Sequence, residues 1–151
     1  MRRSAILVLA FVLSFTGSCS RSEEPAAFSV SPAEPEANEE LTVEYRPEIS
    51  RSPLQRSEKI ELRVSLLTAA GDVRSEEIPM NRTGDAWTVR LVPGGRMAES
   101  PVVMVAAFVD AGDREIFDNN RGNPWVVLFR ENGRPAPGAY LQLSRLQWGE
   151  A

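Results

Sequence analysis

"KIELRVSLL", residues 59–67, decides the fold. Ile60, Leu62, Val64 and Leu66 fall on one side of an extended chain, and Glu61, Arg63 and Ser65 on the other. Side chains alternate faces along a β-strand, so this period of two marks a strand with one face buried and one wet. A helix would scatter the same four apolar residues around its circumference. The stretch is therefore read as a half-buried strand.

Working outward, the same period recurs. "LTVEYRP" alternates Leu41, Val43 and Tyr45, "AWTVRLV" alternates Trp87, Val89 and Leu91, and "FSVSP" places Phe28 and Val30 two apart. "EEIPM" is a short piece whose Pro79 assigns it to an edge or a bend, because proline has no N–H for a central ladder. "VVMVAAFVD" (102–110) is apolar at nearly every position, as expected of a central strand covered on both faces. "WVVLF" (125–129) completes the set. "AAGDV", "NRTGDA", "VPGGR", "DAGDR" and "RENGRP" lie between these segments and supply the Gly, Asn, Asp and Pro that turns need. Short strands with turns at this spacing predict an all-β chain, an immunoglobulin-like antiparallel β-sandwich over residues 27–130. Its core is expected to include Ile60, Leu62, Val64, Val89, Leu91 and Val105, with Trp87 among the buried residues.

The flanks read differently. "SPAEPEANEE" (31–40) is a polar, proline-bearing connection between the first two strands. Residues 131–151 form a linker and a short C-terminal helix: "ENGRPAPG" leads out of the sandwich, and Tyr140, Leu143, Leu146 and Gln147 recur at helical spacing over 138–148. A lone helix this short needs a surface to pack on. Its own domain and another protein are both open.

At the other end, "MRRSAILVLAFVLSFTGSCS" has a basic start at Arg2 and Arg3, an uncharged stretch and small residues just before Cys19. This is the layout of a secretory signal over residues 1–18. "FTGSC" resembles the lipobox of bacterial lipoproteins. The resemblance implies cleavage before Cys19, a diacylglycerol on its thiol and acylation of the freed amine, with residues 19–26 as a lipidated tether. Each buried methylene of such chains contributes roughly 0.8 kcal/mol, and two or more chains make the anchor stable. Ser20, rather than an aspartate, follows the cysteine. The expected location is the bacterial cell envelope, at the periplasmic face of the outer membrane where the cell has two membranes, with the membrane itself as a partner through the lipid.

Charge and composition narrow the function. Removing the signal takes two arginines and no acid, so the formal charge moves from −4 to −6. A mildly acidic chain lacks the concentrated basic face that nucleic acid requires. There is no histidine, which excludes Ser-His-Asp and Cys-His catalysis and histidine-held zinc or copper. The one cysteine is consumed by the lipid, so neither a disulfide nor thiol chemistry is expected. No phosphate-cradling glycine loop is present, and no two carboxylates sit in a pattern that marks a shared cleft. The expectation is a non-enzymatic protein without a cofactor.

One stretch stands out as a candidate site: "DNNRGNPW", 118–125. Gly84, Asp85 and Trp87, then Phe108 and Asp110, then Phe117, Asp118, Asn119, Asn120, Gly122 and Trp125 together resemble the pattern of immunoglobulin-like starch-binding carbohydrate-binding modules. The sandwich, with "ENGRPAPGAYLQL" leading out of it, also resembles the N-terminal domain of envelope lipoproteins that continue into helical repeats or a thioredoxin-like domain. The first resemblance implies a glucan-binding module. The second implies the sandwich portion of a thiol-redox or repeat lipoprotein without its effector domain, and an envelope protein as partner. "LLTAAGDVR", where starch-binding modules carry a further aromatic, has none.

Three readings of the stretch stay open. It is a turn whose Asx side chains hold the backbone. It is a calcium site built from Asp110, Asp113 and Asp118. Or Asp118, Asn119 and Asn120 form a polar ligand cluster beside Trp125. "NRT" (81–83) matches the N-glycosylation pattern by chance.

Overall fold

The computed structural model describes residues 25–96 and 100–148; the signal segment and Cys19 lie outside the described residues. The alternating segments become β1 (Phe28–Ser31), β2 (Leu41–Tyr45), β3 (Ile60–Thr68), β4 (Val73–Pro79), β5 (Asn81–Thr83), β6 (Ala86–Leu91), β7 (Pro101–Asp110), β8 (Phe117–Asp118) and β9 (Trp125–Leu128). One sheet has the order β1–β2–β6–β5. The other has the order β4–β3–β7, with β8 and β9 both paired to the far side of β7. Lettered in chain order with β4 as C′, the sheets are A–B–E–D and C′–C–F–G, the strand order of an immunoglobulin-like sandwich.

The predicted facing of β3 holds residue by residue. Ile60, Leu62, Val64 and Leu66 are buried with Leu41, Val43 and Tyr45 of β2, Trp87, Val89 and Leu91 of β6, and Met104, Ala106 and Phe108 of β7. Each fully buried aliphatic side chain of this kind contributes about 1.5–3 kcal/mol. Outside, Arg63 reaches Glu77 of β4 at 2.8 Å and Arg114 pairs with both Glu77 and Glu61. Trp87 is buried, with the Arg82 guanidinium 5.9 Å from the centre of its ring.

Val105 does not join this core. It stands opposite Ser65, whose neighbours Val64 and Leu66 point inward, so Val105 belongs to the outer face. There Val103, Val102, Leu67 and Ala139 form a second apolar cluster, with Val105, Val126, Leu128 and Leu146 packed against it. β7 is apolar on both faces because helix α3 (Ala139–Trp148) covers the outer one; α1 (Pro47–Ser50) and α2 (Pro93–Arg96) are single turns. The helix therefore docks on its own domain.

Its buried stripe differs from the one the spacing predicts. Ala139 and Gln142 are buried, Leu143 and Leu146 half-buried, and Tyr140 and Leu141 exposed. Close approach rather than apolarity sets the rotation. Gly138 has φ +87°, and a Cβ there would lie 3.1 Å from that of Ala69. The Gln142 amide then donates to the Ala69 carbonyl at 3.0 Å. The linker holds a tight hairpin, β10 (Arg130–Glu131) and β11 (Arg134–Pro135), turned by Asn132 and Gly133 at positive φ. Among the described residues no helix is long and apolar enough to cross a membrane.

Candidate functional site: the 118–125 excursion

"DNNRGNPW" does not connect two neighbouring strands. It interrupts one. Asp118 pairs with Phe108 and Trp125 pairs with Ala106 on the same strand β7. An unbroken antiparallel ladder would have placed Asn120 opposite Ala106, so the chain carries five extra residues at this edge. Phe108 and Ala106 both face the core, and the excursion substitutes Trp125 for Asn120 at an inward position.

The excursion is held by backbone conformation and short-range hydrogen bonds. Asn120, Arg121 and Gly122 have φ of 54°, 57° and 85°, three successive left-handed residues. Glycine adopts that region freely and asparagine tolerates it, while arginine does so at a cost. The Asn119 Oδ1 accepts from the Gly122 N–H at 3.0 Å, and the Asn123 N–H donates to the Asn120 carbonyl at 3.1 Å.

Asp118 is the anchor. Its side chain is buried, and its Oδ1 accepts from the Asn120 N–H at 2.8 Å. Its Oδ2 accepts from the Tyr45 hydroxyl at 2.6 Å, with the Ser50 Oγ at 3.0 Å. Ser50 has a single proton and lies 3.1 Å from the Pro47 carbonyl, so it serves one acceptor at a time. Tyr45 belongs to β2, so this carboxylate ties the edge of one sheet to the interior of the other. Burial, and then the hydrogen bond to Asp118, push the Tyr45 phenol well above its ordinary range. It remains a proton donor at any physiological pH.

Aromatic packing completes the junction. Tyr45 stacks on Phe108 with ring centres 3.7 Å apart, and Trp125 meets Phe108 edge-on at 5.2 Å and stacks on Phe28 at 5.6 Å. Trp125 is half-buried, with its ring in this cluster.

The candidate residues are thus brought together unequally. Asp118 and Trp125 meet through Tyr45 and Phe108, Asn119 spends its side-chain oxygen on the turn, and Asn120 is exposed. The three calcium-candidate carboxylates are not gathered. Asp110 Oδ1 accepts from the Gly112 and Asp113 N–H groups, Asp113 Oδ1 from the Glu115 N–H, and Asp118 from Tyr45. Among the described residues no group of three or more acidic, histidine or cysteine side chains is placed to hold a metal ion. Ser57, and next the Gly112 N–H, hold the Asp110 carboxyl below its usual range. Tyr45 and Ser50 are the residues that sequence reasoning missed. Tyr45 was readable as inward-facing from "LTVEY", but nothing in the spacing pairs it with a residue 73 positions later.

Two concavities flank the region. A groove of about 460 Å³ runs between edge strands β1 and β9, lined by Phe28, Val30, Val126, Leu128 and Tyr140, with the Glu34–Arg130 ion pair beside it. A smaller one of about 310 Å³ separates Gly122–Pro124 from Leu143 and Leu146 of α3. No family model matches the chain, and no curated protein matches its sequence.

Proposed function

We propose that this protein is a lipid-anchored sandwich of the bacterial envelope that acts as a non-catalytic binding or interaction module. The observation that carries the reading is the distance in sequence between Cys19 of "FTGSC" and the first strand at Phe28. At an extended reach of about 3.3–3.6 Å per residue, nine residues hold the domain within roughly 30 Å of the bilayer. The anchor places the sandwich, and the groove between β1 and β9 offers the binding surface. Intact mass of the membrane form is expected to show loss of residues 1–18 and addition of acyl chains, and Cys19→Ala to release the protein into the soluble fraction. An unacylated, soluble wild type rejects the reading.

A glycan ligand is favoured by one observation: Tyr140 is 65% exposed on the wall of that groove, where a sugar ring can stack. Retention on immobilised glucan should then be lost in Tyr140→Ala. Equal retention of wild type and Tyr140→Ala, or no retention of either, leaves an envelope protein as the ligand of this module.

A further inference from the structure

Among the described residues, the four edges of the two sandwich sheets are not alike. β5 is three residues long and β1 four, and the β8–β9 edge is broken by the excursion and overlaid at Arg130, whose N–H donates to the Pro35 carbonyl. β4 pairs with β3 through all seven residues in one register, Glu61–Pro79 to Leu67–Val73. Among the described residues it is the long uninterrupted edge, the kind that accepts another strand unless something opposes it.

The direction of its backbone groups can be assigned. The Thr68 N–H donates to the Asp72 carbonyl and the Met80 N–H to the Ile60 carbonyl, so residues 72 and 80 turn their backbone groups toward β3. Antiparallel ladders alternate, so Arg74, Glu76 and Ile78 do the same, and Val73, Ser75 and Glu77 direct theirs away from the sheet. Among the described residues these three outward pairs face no further strand.

We infer that β4 pairs with β4 of a second copy of this chain, antiparallel, about a two-fold axis at Ser75. A two-fold pairing that keeps each sheet face continuous must be centred on a residue, which leaves Ser75 or Glu76 as the central choices. Centring on Glu76 sets Glu76 against its own copy and brings Pro79, which has no N–H, into the ladder. Centring on Ser75 sets Arg74 opposite the partner's Glu76 twice over and leaves Pro79 outside. Val73 and Glu77 then exchange backbone hydrogen bonds across the axis. The alternating signs on one face fit a reversed copy of this strand, which sets each charge against its opposite.

The test does not depend on the lipid. In the full chain carrying Cys19→Ala, which removes the only cysteine, Ser75→Cys puts one thiol at the axis. Diamide oxidation is expected to give a covalent dimer much faster than for Thr83→Cys on the β5 edge. Sedimentation should show that Arg74→Glu weakens the dimer by on the order of ten-fold, and that adding Glu76→Arg restores it. Circular dichroism checks that each variant is folded. A wild type that stays monomeric at 100 µM (about the highest routine loading), or equal oxidation rates for the two thiols, overturns the inference.

Discussion

Strand β3 and the 118–125 excursion deliver side chains to the same core by opposite means. β3 does it locally: each residue's face follows from its neighbour's, and a single repeating pattern places Ile60, Leu62, Val64 and Leu66. The excursion does it through a contact across the sandwich. Trp125 faces inward because Asp118 is fastened to Tyr45 of the opposite sheet and five residues then loop out before the ladder resumes. Local patterning makes a strand that is robust and legible. A long-range tether makes one that depends on a few polar groups.

The largest expected effect falls on the patterned strand. Leu62→Ala should lower the unfolding free energy by about 2–5 kcal/mol, with Glu61→Ala on the wet face within about 0.5 kcal/mol of wild type. Denaturant titration measures both, and equal values would break the facing that defines β3. Next comes the tether. Tyr45→Phe keeps the ring on Phe108 but leaves a buried carboxylate without its closest donor, at a cost of about 1.5–3 kcal/mol.

The same pair has a pH signature. The raised phenol binds its proton more tightly in the folded state, so its contribution is complete below the ordinary value near 10 and is lost as pH rises above it. Stability of the wild type should therefore fall between pH 10 and 12 more steeply than that of Tyr45→Phe. Parallel alkaline limbs in the two proteins would remove Tyr45 from the account. The smallest effect belongs to the loop itself. Asn120 sits at φ 54° and is exposed, so Asn120→Ala should cost about 1 kcal/mol and Asn120→Gly almost nothing. Equal losses in the two variants would mean that the side-chain amide, and not the backbone conformation, holds the turn.

What the sequence disclosed follows the same division. The alternating segments, the edge position of the strand that ends at Pro79, and the two-faced burial of β7 were all legible, because each is a property of neighbouring residues. Val105 was misplaced because β7 is apolar on both sides and the pattern carries no sign for which face is which. The stripe of α3 was misjudged because small residues, Gly138 and Ala139, set its docking, and apolar spacing does not register a close approach. At the candidate site, the turn character of "DNNRGNPW" was readable from its asparagines and glycine. Its place inside an edge strand was not, since that depends on which residues of β7 it rejoins.

The excursion gives the edge strand slack. In an ordinary strand, adding or deleting one residue turns every later side chain to the other face. Here Asp118 is fixed by Tyr45 and Trp125 by Phe28 and Phe108, so the two halves of the strand hold their registers independently. A change of length between Arg121 and Asn123 is absorbed by the loop and never reaches the core. That makes this tip a natural splice point, where a foreign segment can be displayed from the sandwich while the strands on either side stay where they are.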